Sequence, residues 1–131
     1  MRTMKSLAII GFFLAGSIAW SQTPKTVEVI AGNDNTFKVT GQKKPVITVK
    51  AGQVIKLHVI AKKGQEWAKD GSVHSITINS LKDQGWDLPL KEGSNDFTVV
   101  APSTPGEYTI ECAIKCGQGH EDMKMKLVVT P

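Results

Sequence analysis

After residue 25 the chain is a series of short β-branched runs cut apart by turn residues, and this pattern constrains the fold most. Thr26–Ile30 alternates apolar and polar, and Ala31–Asn35 (AGNDN) is a turn cluster. Thr36–Val39 and Val46–Val49 follow, separated by Gly41 through Pro45. Val54–Ile60 alternates cleanly, so Ile55, Leu57 and Val59 should face a core while Lys56 and His58 point outward. A polar loop, Ala61–Ser72, leads into a strand at Val73–Ile78. Leu81–Asn95, with Trp86, Pro89 and Gly93, reads as a longer connection with room for one helical turn. Phe97–Val100, Tyr108–Cys112 and Met125–Thr130 complete the set, with Pro102, Pro105 and Gly106 between the first two. No stretch after the N-terminal segment sustains helical periodicity, and there is no internal repeat, heptad or low-complexity run. One all-β domain, an antiparallel sandwich or barrel, is the expectation.

The N-terminus follows a different logic. Arg2 and Lys5 precede an almost wholly apolar run, Leu7–Trp20, and Ala19 and Ser21 are small residues suited to cleavage before Gln22. A basic start, a short apolar stretch and a small-residue site are the order of an export signal. The run falls short of the roughly 20 residues a membrane span needs. Residues 1–21 are therefore expected to be a signal peptide and 22–131 the domain, exported, periplasmic and monomeric, without a membrane span in the mature chain; an uncleaved N-terminus acting as an anchor is the alternative. Removing Arg2 and Lys5 from the 16 Lys and Arg leaves 14 against 12 Asp and Glu. No block of basic residues exceeds the pairs Lys43–Lys44 and Lys62–Lys63, which argues against a nucleic-acid partner.

The chemistry is concentrated in Glu111–Met125, ECAIKCGQGHEDMKM. In an exported chain Cys112 and Cys116 have a structural disulfide as their plainest reading, but a bridge over three residues restrains the unfolded chain little. Their surroundings suggest otherwise. Cys112, Cys116, His120 and Met123 bring thiol, imidazole and thioether into one loop between two strands, with Gly117 and Gly119 letting the backbone turn. Soft ligands of these kinds select copper, and a Cys, two His and a weak Met form the ligand set of electron-transfer copper sites. The second histidine is expected to be His74, at the start of a strand after a Gly/Ser turn, while His58 points outward. Met125 would share a side with Met123, which lies nearer the loop. Trp67 and Trp86 are open to either packing or docking roles.

The order Cys112-x3-Cys116-x3-His120-x2-Met123, with His74-Ser75 upstream, resembles the binuclear CuA motif of cytochrome c oxidase subunit II and nitrous-oxide reductase. The similarity runs through roughly residues 36–130 and includes Pro105-Gly106-Glu107-Tyr108. The resemblance implies a cupredoxin-like antiparallel Greek-key β-sandwich. It also implies bridging Cys112 and Cys116, terminal His74 and His120, a weak Met123 and a carbonyl ligand from Ile114. Lys115 would set a cation beside that centre. No coordination position is left for a substrate, so the implied role is electron transfer, without a catalytic centre of its own. A c-type cytochrome or a terminal oxidase would be the partner.

Three other readings stay open on the residues alone. His74, Cys116, His120 and Met123 already make a single-copper, blue-type set that leaves Cys112 spare. A copper carrier or assembly protein for a terminal oxidase would use the same soft ligands. The chain could also be a detached oxidase subunit II domain, whereas a true oxidase subunit would need firm membrane anchoring and a haem-containing partner. Cys–His nucleophilic catalysis would leave the second Cys and the Met without a part.

Overall fold

A computed structural model describes residues 22–131 and, ahead of them, Gly11 alone. The expected signal peptide lies outside the described residues. Among those described, no helix is long and apolar enough to cross a membrane.

Among the described residues nine strands form in chain order: β1 (Lys25–Ala31), β2 (Phe37–Val39), β3 (Val46–Lys50), β4 (Val54–Ala61), β5 (Ser72–Thr77), β6 (Asp87–Lys91), β7 (Gly93–Val100), β8 (Gly106–Glu111) and β9 (Lys124–Thr130). They make two sheets, ordered β2-β1-β4-β7 and β3-β9-β8-β5-β6. Alternation decides the faces. Val27, Val29 and Ala31 on β1, with Ile55, Leu57, Val59 and Ala61 on β4, are buried. They join Ile47, Val49, Ile76, Leu90, Ile110, Met125, Leu127 and Val129 of the other sheet in one apolar core. Lys56 is exposed and His58 half-buried, on the outer face as their alternation requires.

The all-β sandwich is as the sequence predicts, with one amendment to its antiparallel character. β1 pairs with β4 in parallel, and β3 with β9 likewise. Both ladders join strands whose connections cross between sheets, and local turn signals carry no information about such pairings.

The 81–95 segment also needs correcting as a connection. A short 3-10 segment, Asn79–Gln84, ends at Gly85 in the left-handed region, and the chain then runs straight into β6 and β7. Pro89 made β6 read as loop. It sits on a strand at the sheet's edge, paired only with β5, where its missing N–H breaks no ladder. Trp86, between that 3-10 segment and β6, is 1% exposed, and its indole N–H donates to the Val100 carbonyl at 3.1 Å. Trp86 thus ties the two sheets together at their edges. Trp86→Ala should cost about 3–5 kcal/mol in equilibrium denaturant unfolding, because it opens a large cavity and orphans that carbonyl. A loss below about 1 kcal/mol would contradict this account.

Candidate metal centre

β8 and β9 form an antiparallel ladder whose last register pair is Glu111 with Lys124. One step further, the Cys112 amide donates to the Met123 carbonyl at 3.2 Å, so the two residues face each other across the neck of a loop. Inside the loop Gly117 and Gly119 take φ of 118° and 91°, a region that L side chains rarely adopt. These turns fold the chain back so that the short 3-10 segment His120–Asp122 returns it to Met123.

β5 lies beside this loop. It shares one register pair with β8, Thr77 with Glu111, and beyond it the Ala113 amide donates to the Ser75 hydroxyl at 2.7 Å. A side chain thus replaces the next backbone rung and holds the loop against the strand that carries His74. On the other side, the Cys116 carbonyl accepts from the amides of Gln65 at 3.0 Å and Glu66 at 3.2 Å. A side chain at Gly64 would meet the Asn35 amide and come within 2.5 Å of that same carbonyl.

The donor atoms converge accordingly. The Cys112 and Cys116 sulfurs lie 3.9 Å apart. His74 Nδ1 is 4.0 Å from Cys112 Sγ, and His120 Nδ1 is 3.5 Å from Cys116 Sγ. Met123 Sδ is 3.9 Å from Cys116 Sγ, and the Ile114 carbonyl is 3.1 Å from Cys112 Sγ. His74, Cys112 and Cys116 alone place their ligand atoms within 4.8 Å of one another. Thiols, imidazoles and a thioether in one buried pocket suit a soft or borderline metal ion, copper foremost.

The surroundings are tuned for neutral side chains when no metal is bound. His74 is fully buried, and burial holds its pKa below the ordinary 6.5. Its Nε2–H donates to the Lys62 carbonyl at 2.7 Å, which leaves the Nδ1 lone pair facing Cys112. Burial, then the charge and hydrogen bond of Cys112, push the Cys116 thiol up to about 12. A metal must therefore displace the Cys116 proton, and uptake should strengthen as pH rises. Lys115 points outward into an ion pair with Glu66 at 3.7 Å, both side chains well exposed, and so lies away from the sulfurs.

All six sequence candidates, His74, Cys112, Ile114, Cys116, His120 and Met123, meet at this one place. Met125 is buried in the sandwich core and pairs with Ile110. His58 stands apart on the outer face with Asp96 at 2.7 Å. Nothing in the sequence signals the parts played by Asn35 and the Lys62 carbonyl, and it offers Ser75 only as the neighbour of His74. Asn35 is 1% exposed with φ of 58°, and its amide donates to Gln65 Oε1 at 3.0 Å and to the Gln118 carbonyl at 2.7 Å. It binds three loops around the site. In the sequence it is one more polar residue of a turn cluster, and no local signal marks a contact 83 residues away.

No family model matches the sequence, and no curated protein matches it. Solved structures do match. One is a haem-copper terminal oxidase dimer, with a TM-score of 0.58 at 20% identity over 81% of this chain. The chain spans 65% of the length of that oxidase chain. Auracyanin A, a blue copper protein of Chloroflexus aurantiacus, matches with TM-score 0.52 and 20% identity, over 82% of this chain and 100% of its own. The periplasmic domain of subunit II of cytochrome oxidase from Bradyrhizobium japonicum matches with TM-score 0.53 and 14% identity, over 81% and 83%. At these identities the likeness is one of fold.

The burial of His74 has a measurable consequence. An unfolded chain protonates this imidazole near 6.5, and the folded chain only at lower pH. Below 6.5 the unfolded state binds more protons, so stability should fall with pH across that window. His58 acts oppositely, since its hydrogen bond to Asp96 raises its pKa, and its contribution disappears as pH rises. In the metal-free, thiol-reduced His58→Gln variant, urea unfolding between about pH 5 and 7 should show the His74 loss alone. A flat profile there would contradict a buried neutral imidazole.

Proposed function

We propose that this chain, which has the cupredoxin fold, is an exported copper protein that passes single electrons between partners, with a binuclear CuA-type centre. Cys112 and Cys116 would bridge two copper ions, His74 and His120 would each bind one, and Met123 and the Ile114 carbonyl would complete the set. The observation that carries this reading is the arrangement of donors around the sulfur pair. His74 and the Ile114 carbonyl lie beside Cys112, and His120 and Met123 beside Cys116. A single-copper site would leave Cys112 and the Ile114 carbonyl unused.

Bound copper would supply one-electron exchange between its two common oxidation states. The protein's residues supply everything else. The β8–β9 ladder and the Ser75 hydroxyl hold the loop ends, and the Cys116 carbonyl is pinned by two amides. Donors fixed in this way move little when charge changes. Cys112, Cys116, Met123 and His74 are buried, which keeps water from competing as a ligand. The Nε2–H of His74 is held by the Lys62 carbonyl, which fixes the ring's orientation and its ligating nitrogen.

The single-copper reading has one observation of its own, the match to the full length of a blue copper protein. It would use His74, Cys116, His120 and Met123. His74 Nδ1 lies beside Cys112, however, which favours the binuclear reading. A c-type cytochrome or a terminal oxidase is the class of partner such a centre would serve.

Loading the thiol-reduced protein with copper and measuring metal by mass separates these readings. The binuclear centre predicts about two coppers per chain, reduced to about one or none in Cys112→Ser. About one copper per chain, unchanged by Cys112→Ser, would establish the single-copper site instead. Rapid loss of copper(I) to a competing chelator would favour a carrier.

A further inference from the structure

Trp67 is 54% exposed, one of two large apolar side chains so placed among the described residues. It lies in the Ala61–Ser72 loop, whose backbone bonds to both halves of the candidate centre. Within this loop the Lys62 carbonyl holds His74 Nε2–H at 2.7 Å, and the amides of Gln65 and Glu66 hold the Cys116 carbonyl. Trp67 is therefore one residue from an amide bonded directly to a sulfur-bearing residue of the site.

The charge around Trp67 is one-sided. Lys62, Lys63 and Lys69 are exposed, and Lys63 Nζ sits 4.8 Å from the Trp67 ring centroid. The loop's two acidic residues are both answered, Glu66 by Lys115 at 3.7 Å and Asp70 by Lys91 at 3.9 Å. In the ligand loop the half-buried His120 is followed by exposed Glu121 and Asp122, with Lys115 as the basic residue. The loop that carries the indole is thus the more basic of the two.

We propose that the Ala61–Ser72 loop, centred on Trp67, is the surface on which this protein exchanges electrons, and that it takes a redox protein acidic around its own exposed cofactor edge. The inference rests on the copper reading above. Carboxylates of the partner would meet Lys62, Lys63 and Lys69, steering the encounter, while the indole gives a flat apolar contact that excludes water. One electron leaves the reduced partner and reduces the copper centre by one; the partner is oxidised by one, and no proton moves. The through-bond path from the Trp67 backbone runs along the Glu66 backbone and across the hydrogen bond from its amide to the Cys116 carbonyl.

Stopped-flow electron exchange with two probes of opposite charge, hexacyanoferrate and hexaammineruthenium, and with an acidic c-type cytochrome, tests this on the copper-loaded protein. Lys63→Glu/Lys69→Glu should slow the anionic probe and the cytochrome about tenfold at low salt. The difference should shrink severalfold by about 0.5 M salt, while the cationic probe is not slowed. Trp67→Ala should slow the cytochrome severalfold at every salt concentration with the reduction potential unchanged, and Trp67→Phe should restore most of the rate. Wild-type rates in both the lysine and Trp67→Ala variants would overturn the proposal, as would slowing confined to Glu121→Lys/Asp122→Lys with the cationic probe. The thiolate-to-copper absorption of each sample is recorded first. Its absence in the wild type defeats the copper reading, whereas intact absorption with indifferent rates defeats the docking surface alone.

Discussion

Cys112 and Met123 face each other across the neck of the β8–β9 loop, joined by the bond from the Cys112 amide to the Met123 carbonyl. The rest of the site hangs from this rung. A strand register has no half-steps, and a slip by one residue would send Ile110, Met125 and Leu127 out of the core. The apolar core therefore enforces the register, and the register delivers Cys112 and Met123 to the same end of the sandwich. Only then can a loop as short as this place Cys116 and His120 between them.

A second set of constraints acts from the side. Ser75 holds the loop at Ala113, the amides of Gln65 and Glu66 hold it at Cys116, and Asn35 holds it at Gln118. One anchor comes from strand β5 and the others from two different connections, and each grips backbone atoms of the loop, so the loop is held independently of the metal. Burial favours a neutral His74 and a protonated Cys116 in the metal-free protein. A cation entering the pocket reverses that preference at the thiol, because thiolate charge is then compensated at close range. The same dryness that resists ionisation in the empty site strengthens binding in the filled one.

Much of this was legible in the sequence, for identifiable reasons. Alternation in Val54–Ile60 assigned both faces of β4, and the spacing after Cys112 singled out side chains that the fold brings together. What stayed hidden was long-range or locally ambiguous. Pro89 disguised an edge strand as loop, since a missing N–H reads as a break unless the edge position is known. The two parallel ladders pair segments with no turn between them to announce the pairing. Asn35 looked like ordinary turn chemistry, and only the folded chain shows its amide reaching the ligand loop. Trp67 and Trp86 are the same residue type with opposite fates, one exposed and one buried, which no local signal distinguishes.

The central claim is that two copper ions share one sulfur pair, and electron paramagnetic resonance of the copper-loaded protein in its one-electron-oxidised form tests it most directly. The account predicts hyperfine structure from a single unpaired electron spread equally over two copper nuclei, which requires both thiolates as bridges. Hyperfine structure from one copper nucleus alone would contradict it and leave Cys112 outside the centre.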